Sequence, residues 1–523
     1  MDKLNNASKN TNGYLKSYWI ESTPTTNYPA LDKDVKVDAA IIGGGIVGIT
    51  AGYILKNEGL KVAIIEASRI VQGTTGFTTA KITSQHHLIY DKLINSMGME
   101  IARGYANANE SSIGFINHMI NKLNINCDFQ RLPAYMYTRE EEHIKDIEKE
   151  TEAALKLGIK AKCADKLPIN LQIKSAVVFE NQAQFHPRKY LLPIAEKIPG
   201  DGSYIFENTE AVEIEEGNLV TIVTDKGKKV TAPKVIIASH FPCYDGMGLY
   251  LTRLKPQRSY VIAANIKEKF PDGMFINVEN PGRSLRAQYD GKNQLVLVGG
   301  EGHKTAHGNN FEEHYNNLEK FAQSIFDVNS ILYKWSAQDY ITVDHVPYVG
   351  KLTSQTENIY VAAGFGEWGM TNGTAAARLL TDKILSKNNP WEEVFNPSRH
   401  FTIGAYKTLA AENFDVAKEL IVNKIKSGED NIDIKCGEGK TIELDGHKYG
   451  AYKDDNGVLH LVDITCTHVG CELKWNDAEK SWDCPCHGSR FTYDGEILEG
   501  PAVNKLHHYK EGANKIDPKI LQS

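Results

Sequence analysis

Val37-Asp-Ala-Ala-Ile-Ile42, running straight into Gly43-Gly-Gly-Ile-Val-Gly48, is the stretch that decides the fold. The first six residues are a short apolar run suited to a strand buried in a parallel sheet. The next six are G-x-G-x-x-G. Ile46 to Asn57 then carries helical periodicity, and Lys61-Val-Ala-Ile-Ile-Glu66 is a second strand. Together they predict a βαβ unit that holds a dinucleotide. Gly43 permits the tight turn, Gly45 lets the backbone approach a pyrophosphate, and Gly48 lets helix and strand pack closely. The helix N-terminus presents the positive end of its dipole to the phosphates. Glu66, ending the second strand, is placed to accept from ribose hydroxyls.

Working outward, the chain has 523 residues and a formal net charge of −7. At about 150 residues per domain, roughly three domains are expected. The acidic balance supplies no basic face, which excludes a nucleic-acid binder. The longest apolar run, Ala39 to Leu55, is broken by glycines and falls short of the ~20 residues of a membrane span. Met1 to Thr23 is polar and mixed in charge, and no Arg-Arg pair occurs. A cytoplasmic protein is therefore expected. Leu93 to Ala164 reads as mostly helical, Ala176 to Ile237 as short strands and turns, and Arg258 to Gly300 as strand-rich. Asn358 to Leu385 reads as strand, glycine-rich turn and helix. Residues 387–427 read as a connector, and from Gly428 short strands and turns dominate, with a domain boundary near Lys426–Asp430.

Eight cysteines divide into two groups. Cys127, Cys163, Cys243 and Cys436 are scattered, as reduced structural thiols are. Cys466, Cys471, Cys484 and Cys486 crowd together, which predicts a metal site. The quoted motifs are Cys466-Thr-His468-Val-Gly-Cys471 and Cys484-Pro-Cys486-His487-Gly-Ser489. Zinc is the alternative occupant, but zinc requires neither Gly470 nor Gly488 nor Ser489. Paired C-x-H and C-x-x-H loops resemble a Rieske 2Fe-2S domain. The resemblance implies thiolates of Cys466 and Cys484 on one iron and imidazoles of His468 and His487 on the other. Neutral imidazoles raise the cluster's potential. The cytochrome bc-type branch of that family further implies a Cys471–Cys486 disulfide joining the two loops, and Gly500-Pro-Ala502 resembles its proline loop. In the respiratory branch a Tyr two residues past the Ser donates to a ligand sulfur. Here Phe491 takes that place, which implies a lower potential.

Residues 37–400 resemble the D-amino-acid oxidase and glycine oxidase superfamily of FAD enzymes. The likeness rests on the fingerprint with Glu66, on Gly73-Thr-Thr-Gly-Phe-Thr-Thr-Ala-Lys81, Gln182-Ala-Gln-Phe-His-Pro187 and Val235-Ile-Ile-Ala-Ser239, and on Val361-Ala-Ala-Gly-Phe-Gly-Glu-Trp-Gly-Met-Thr371. It implies FAD contacts at Thr74, Thr75, Thr79, Lys81 and Val212, and at Gly364, Gly366, Trp368, Gly369, Met370 and Thr371. Arg258 with Tyr260 is expected to hold a substrate carboxylate, with His86 and Trp368 near the ring. The implied fold class is an α/β Rossmann-like FAD-binding domain with an inserted α+β substrate domain, plus a C-terminal all-β Rieske domain. The expected segments are 37–105, 175–245 and 335–390 for FAD, and 106–174 and 246–334 for substrate. Residues 401–428 form the connector and 429–523 the Rieske domain.

Fusing the two halves implies an FAD-dependent dehydrogenase acting on a small amine or amino acid. Its electrons would pass through the 2Fe-2S cluster to an external acceptor, a protein or a quinone. The alternative is a redox sensor or electron-transfer module without a metabolic substrate. A Rieske oxygenase is disfavoured, because its mononuclear iron motif D-x-x-H-x-x-x-x-H is missing.

Overall fold

The structure is a computed structural model that describes residues 17–290, 293–308, 310–425, 433–444 and 446–509. The boundary expected near Lys426–Asp430 lies outside the described residues.

The βαβ unit forms as expected. Strand Ala39–Ile42, helix Ile46–Asn57 and strand Val62–Ile65 follow one another, and both strands are buried along their whole length. Burial on both faces is what selects the unbroken Val/Ile/Ala runs. These strands lie inside a six-stranded sheet that also takes in Val235–Ile237, Ile359–Ala363, Tyr204–Phe206 and an antiparallel Tyr348–Lys351. Helix Gly369–Ile384 packs against helix Ile46–Asn57, and Gly373 permits it: a Cβ there would stand 2.9 Å from Ile46 Cγ2.

A second, nine-stranded sheet holds Leu254–Ile266, Asn293–Lys304 and, at its edge, Val328–Thr342. It crosses the segment boundaries expected from sequence. Ser175–Gln184 belongs to it, and the expected division at 334/335 falls within Val328–Thr342. Leu93 to Ala164 is mostly helical, as expected, with Gln130–Thr138 a strand of this sheet paired with Ser175–Gln184.

The C-terminal part is all β, two four-stranded antiparallel sheets with a separate small core around Cys466, Cys471, Cys484 and Trp482. The connector is one helix, Ile403–Ile425. Its Val416 and Leu420 pack on that core, while Glu412 faces Lys255 at 2.6 Å. The helix therefore ties the two halves together. Among the described residues, no helix is long and apolar enough to cross a membrane.

Candidate functional site

An open cavity of about 1800 Å³ starts at the glycine turn and runs to the edge of the nine-stranded sheet. Gly43 has φ +109°, and a Cβ there would stand 2.4 Å from the Ala238 carbonyl oxygen; at Gly48 it would stand 1.9 Å from the Gly43 oxygen. Gly45 begins the helix and, having no side chain, caps none of its amides. The first turn borders the cavity through Gly45, Ile46 and Val47, the arrangement that binds phosphate groups. Glu66 accepts from the Gly44 amide at 2.8 Å and the Ser68 amide at 3.0 Å, although burial pushes its carboxyl up. This cradle fits a dinucleotide.

Of the expected FAD contacts, Gly43, Gly45, Glu66, Thr74, Thr75 and Thr79 border the cavity, as do Lys81, Val212, Trp368, Gly369 and Met370. Thr75 also accepts from the Ile46 amide at 3.2 Å. Gly48, Gly364, Gly366 and Thr371 do not border it. Gly48 serves helix–strand packing. Gly364 and Gly366 shape the loop at φ +77° and +53°. Thr371 turns its hydroxyl to the Thr83 carbonyl at 2.9 Å. Burial, followed by Arg286, pushes the Lys81 amine down to about 7.

Two catalytic expectations, Arg258 and His86, need correction, and strand alternation explains the first. Successive side chains of a strand point to opposite faces. On Leu254–Ile266, Gln257, Ser259, Tyr260 and Val261 border the cavity, whereas Arg258, between Gln257 and Ser259, points the other way. There, 2% exposed, it pairs with Glu479 at 2.5 Å and Glu499 at 3.2 Å of the C-terminal domain. Arg258 is a clamp between domains and is not free for a substrate carboxylate. Tyr260 borders the cavity, with its hydroxyl 3.0 Å from His303 Nε2 and its ring stacked on His314. His86 sits behind the wall. Its Nε2 donates to the Thr83 carbonyl at 2.7 Å and its Nδ1 accepts from Tyr105 at 2.6 Å. Burial pushes it down to about 3, so it is a neutral plate stacked 4.8 Å from Trp368. Of the four, Tyr260 and Trp368 border the cavity, and the Trp368 ring is supported from behind by His86.

Strand Val328–Thr342 borders the cavity from Ala337 to Tyr340, and some of its side chains also reach the C-terminal domain. Ser336, Gln338 and Tyr340 face the C-terminal domain: Gln338 donates to the Gly488 carbonyl at 2.8 Å and Tyr340 to the His487 carbonyl at 3.1 Å. Asp339 faces the cavity beside Glu367. Sequence reasoning missed Gln338, Asp339, Tyr340, Glu367, Glu479 and Glu499. The one available signal was Glu367, embedded in the glycine-rich segment already singled out.

In the C-terminal domain, Cys471 and Cys486 form a disulfide, as expected. Cys466 and Cys484 are buried, free and hydrogen-bonded to each other. The rings of His468 and His487 stand 5.1 Å apart, and the Nδ1 atom of each is buried without a hydrogen-bond partner. Two adjacent thiols and two orphaned imidazole nitrogens are the donor set of a Rieske centre. Ser489 and the His468 and Val469 amides donate toward the Cys466 sulfur. Ser489 also accepts from the Ala502 amide at 3.0 Å, tying the proline loop down.

The nucleotide cradle and this donor set define a flavoprotein oxidoreductase carrying an iron–sulfur domain. The chain belongs to the FAD dependent oxidoreductase family, whose model matches residues 38–383, and a Rieske [2Fe-2S] domain matches residues 429–510. Its cofactors are FAD and a 2Fe-2S cluster. It is 43% identical to a Bacillus subtilis protein carrying the name Rieske 2Fe-2S iron-sulfur protein YhfW, over 94% of this chain and 97% of that one. It is 22% identical to the gamma-glutamylputrescine oxidoreductase of Escherichia coli, over 71% of this chain and 89% of that one. Glycine oxidase from Geobacillus kaustophilus shares the fold, with TM-score 0.59 and 16% identity over 70% of this chain and 100% of that one.

Proposed function

We propose that the protein oxidises a small amine or amino acid at its C–N bond and delivers the electrons through its Rieske domain to an external protein or quinone. The observation that carries this reading is that the nucleotide cradle and the C-terminal domain border one and the same cavity. Asp339 and Gln257 line the cavity, while their neighbours Tyr340 and Arg258 hold the C-terminal domain. The cavity also reaches the C-terminal domain itself, where Gly500, Pro501 and Ala502 of the proline loop border it.

In this reading FAD supplies a two-electron acceptor for the C–N bond, and the cluster supplies a one-electron carrier. Gly43, Gly45 and Glu66 hold the nucleotide; Cys466, His468, Cys484 and His487 hold the cluster. The protein's own part is positioning. His86 and Tyr105 keep the Trp368 ring fixed against the cavity. Tyr340 donates to both His487 and Gly500 carbonyls, at 3.1 and 3.2 Å, and so joins the cluster loop to the proline loop. The name of the E. coli relative supports an amine substrate by analogy. The four scattered cysteines stay unpaired, which supports the cytoplasm as the compartment.

The test is anaerobic mixing of the holoprotein with a panel of amines and amino acids, read as loss of flavin absorption. Bleaching by one chemical class is expected. A panel that leaves the flavin oxidised, while dithionite reduces it, would instead support an electron-transfer module without a metabolic substrate.

A further inference from the structure

We infer that the substrate is recognised as a cation: Asp339 and Glu367 form an anionic wall of the cavity, against which the ammonium group of an amine docks. The inference rests on the amine-oxidising reading above and gives it a substrate class, an amine bound by its positive charge and not by a carboxylate.

Three observations converge. The first is negative charge that its neighbours compensate only in part. Asp339 and Glu367 both border the cavity. The charged groups acting on Asp339 are themselves carboxylates, Glu367 and Glu499. Around Glu367 stand Gln257 at 3.4 Å and His87 at 3.5 Å. Lys81 also acts on it, but burial and Arg286 already push that amine down to about 7. Burial, then Glu367, pushes the Asp339 carboxyl up to about 7. Two confined carboxylates so close together are costly, and a ligand cation relieves that cost.

The second is that the cavity offers a carboxylate no guanidinium to bind. Among the described residues bordering it, Arg69 faces Glu207 at 3.9 Å, Arg283 pairs with Glu301, and Arg490 pairs with Asp483 at 3.0 Å. Arg258, the one arginine whose sequence position suggested such a role, is turned to the other face and clamped by Glu479 and Glu499.

The third is aromatic. Trp368 follows Glu367 directly and borders the cavity, with His86 stacked 4.8 Å behind it. A cation beside an indole face gains a further attraction.

The experiment uses the holoprotein and two probes of one length, butyltrimethylammonium chloride and sodium butyrate. Binding is read by calorimetry and by perturbation of the flavin spectrum. The ammonium salt is expected to bind more tightly than butyrate. Its Kd is expected to rise at least tenfold in Asp339→Asn, with butyrate binding no weaker. Glu367→Gln carries the same test should Asp339→Asn fail to retain flavin. Tighter binding of butyrate, or an unchanged Kd for the ammonium salt in both variants, overturns the inference. Anaerobic mixing separates the two levels. Bleaching by amino acids together with no response to the ammonium salt overturns cation recognition and leaves C–N oxidation standing. No bleaching by any amine or amino acid overturns the reading on which it rests.

Discussion

Arg258→Met should loosen the Rieske domain more than Glu479→Gln does, although both remove one end of the same ion pair. The network under the domain holds two cations, Arg258 and Arg490, and three carboxylates, Glu479, Asp483 and Glu499. Removing Glu479 leaves two charges of each sign. Removing Arg258 leaves three carboxylates around one arginine, in a site where the Arg258 and Glu479 side chains are 2% and 10% exposed. Breaking a buried pair from one side costs about 3–5 kcal/mol. An independent figure comes from Glu479, whose carboxyl the two arginines, against burial, hold down from 4.5 to about 2. At about 1.4 kcal/mol per pH unit this is about 3 kcal/mol. Because the folded-state pKa is depressed, that contribution is present above pH 4.5 and is lost as pH falls toward 2. With a urea m-value of about 2 kcal/mol/M, a loss of 3 kcal/mol lowers the midpoint by about 1.5 M. The assay is urea unfolding read at the cluster by visible circular dichroism. Arg258→Met should shift the cluster transition by about 1.5 M or more and separate it from the flavin transition. Glu479→Gln should shift it less, and the double variant should recover part of the Arg258→Met loss. Equal shifts, or an Arg258→Met midpoint within 0.3 M of wild type, would refute the reasoning.

Other outcomes follow from single residues. Cys471 and Cys486 are 15 positions apart, so replacing both with Ser should cost the C-terminal domain about 3 kcal/mol, seen as cluster bleaching at a lower temperature. Phe491 is fully buried and gives the cluster no hydroxyl donor; Phe491→Tyr should raise the midpoint potential in a redox titration, and an unchanged or lower potential would count against this. Burial, then Glu367, raises the Asp339 carboxyl from 3.8 to about 7, so its ionisation weakens the fold as pH rises from about 4 to 7. Asp339→Asn should therefore melt higher than wild type at pH 8, by the equivalent of about 1–2 kcal/mol, with the advantage gone at pH 4.

The local parts of this molecule were legible in the sequence. Gly43 to Gly48, Glu66 and the two cysteine loops act through their neighbours in the chain, so spacing alone announces the nucleotide cradle and the cluster donors. The relation between the halves was not legible. Whether Arg258 meets substrate or the Rieske domain depends on which face of Leu254–Ile266 it takes. A shift of one residue reverses that face, and the partner carboxylates Glu479 and Glu499 lie more than 200 positions away. His86 misled for a related reason: it follows the threonine-rich turn that borders the cavity, but its ring is drawn back by Thr83 and Tyr105. Asp339 gave no signal because a single carboxylate in a strand is ordinary until Glu367 is brought beside it.

The central claim is that the cavity and the cluster work as one electron path. The direct test mixes the holoprotein anaerobically with an amine that bleaches the flavin, and follows flavin absorption and the reduced-cluster EPR signal in the same rapid-quench series. The account predicts that the EPR signal rises as the flavin is turned over, and that Tyr340→Ala slows this rise without slowing the bleaching. A flavin fully reduced by substrate beside a cluster that stays oxidised, yet is reducible by dithionite, would contradict it.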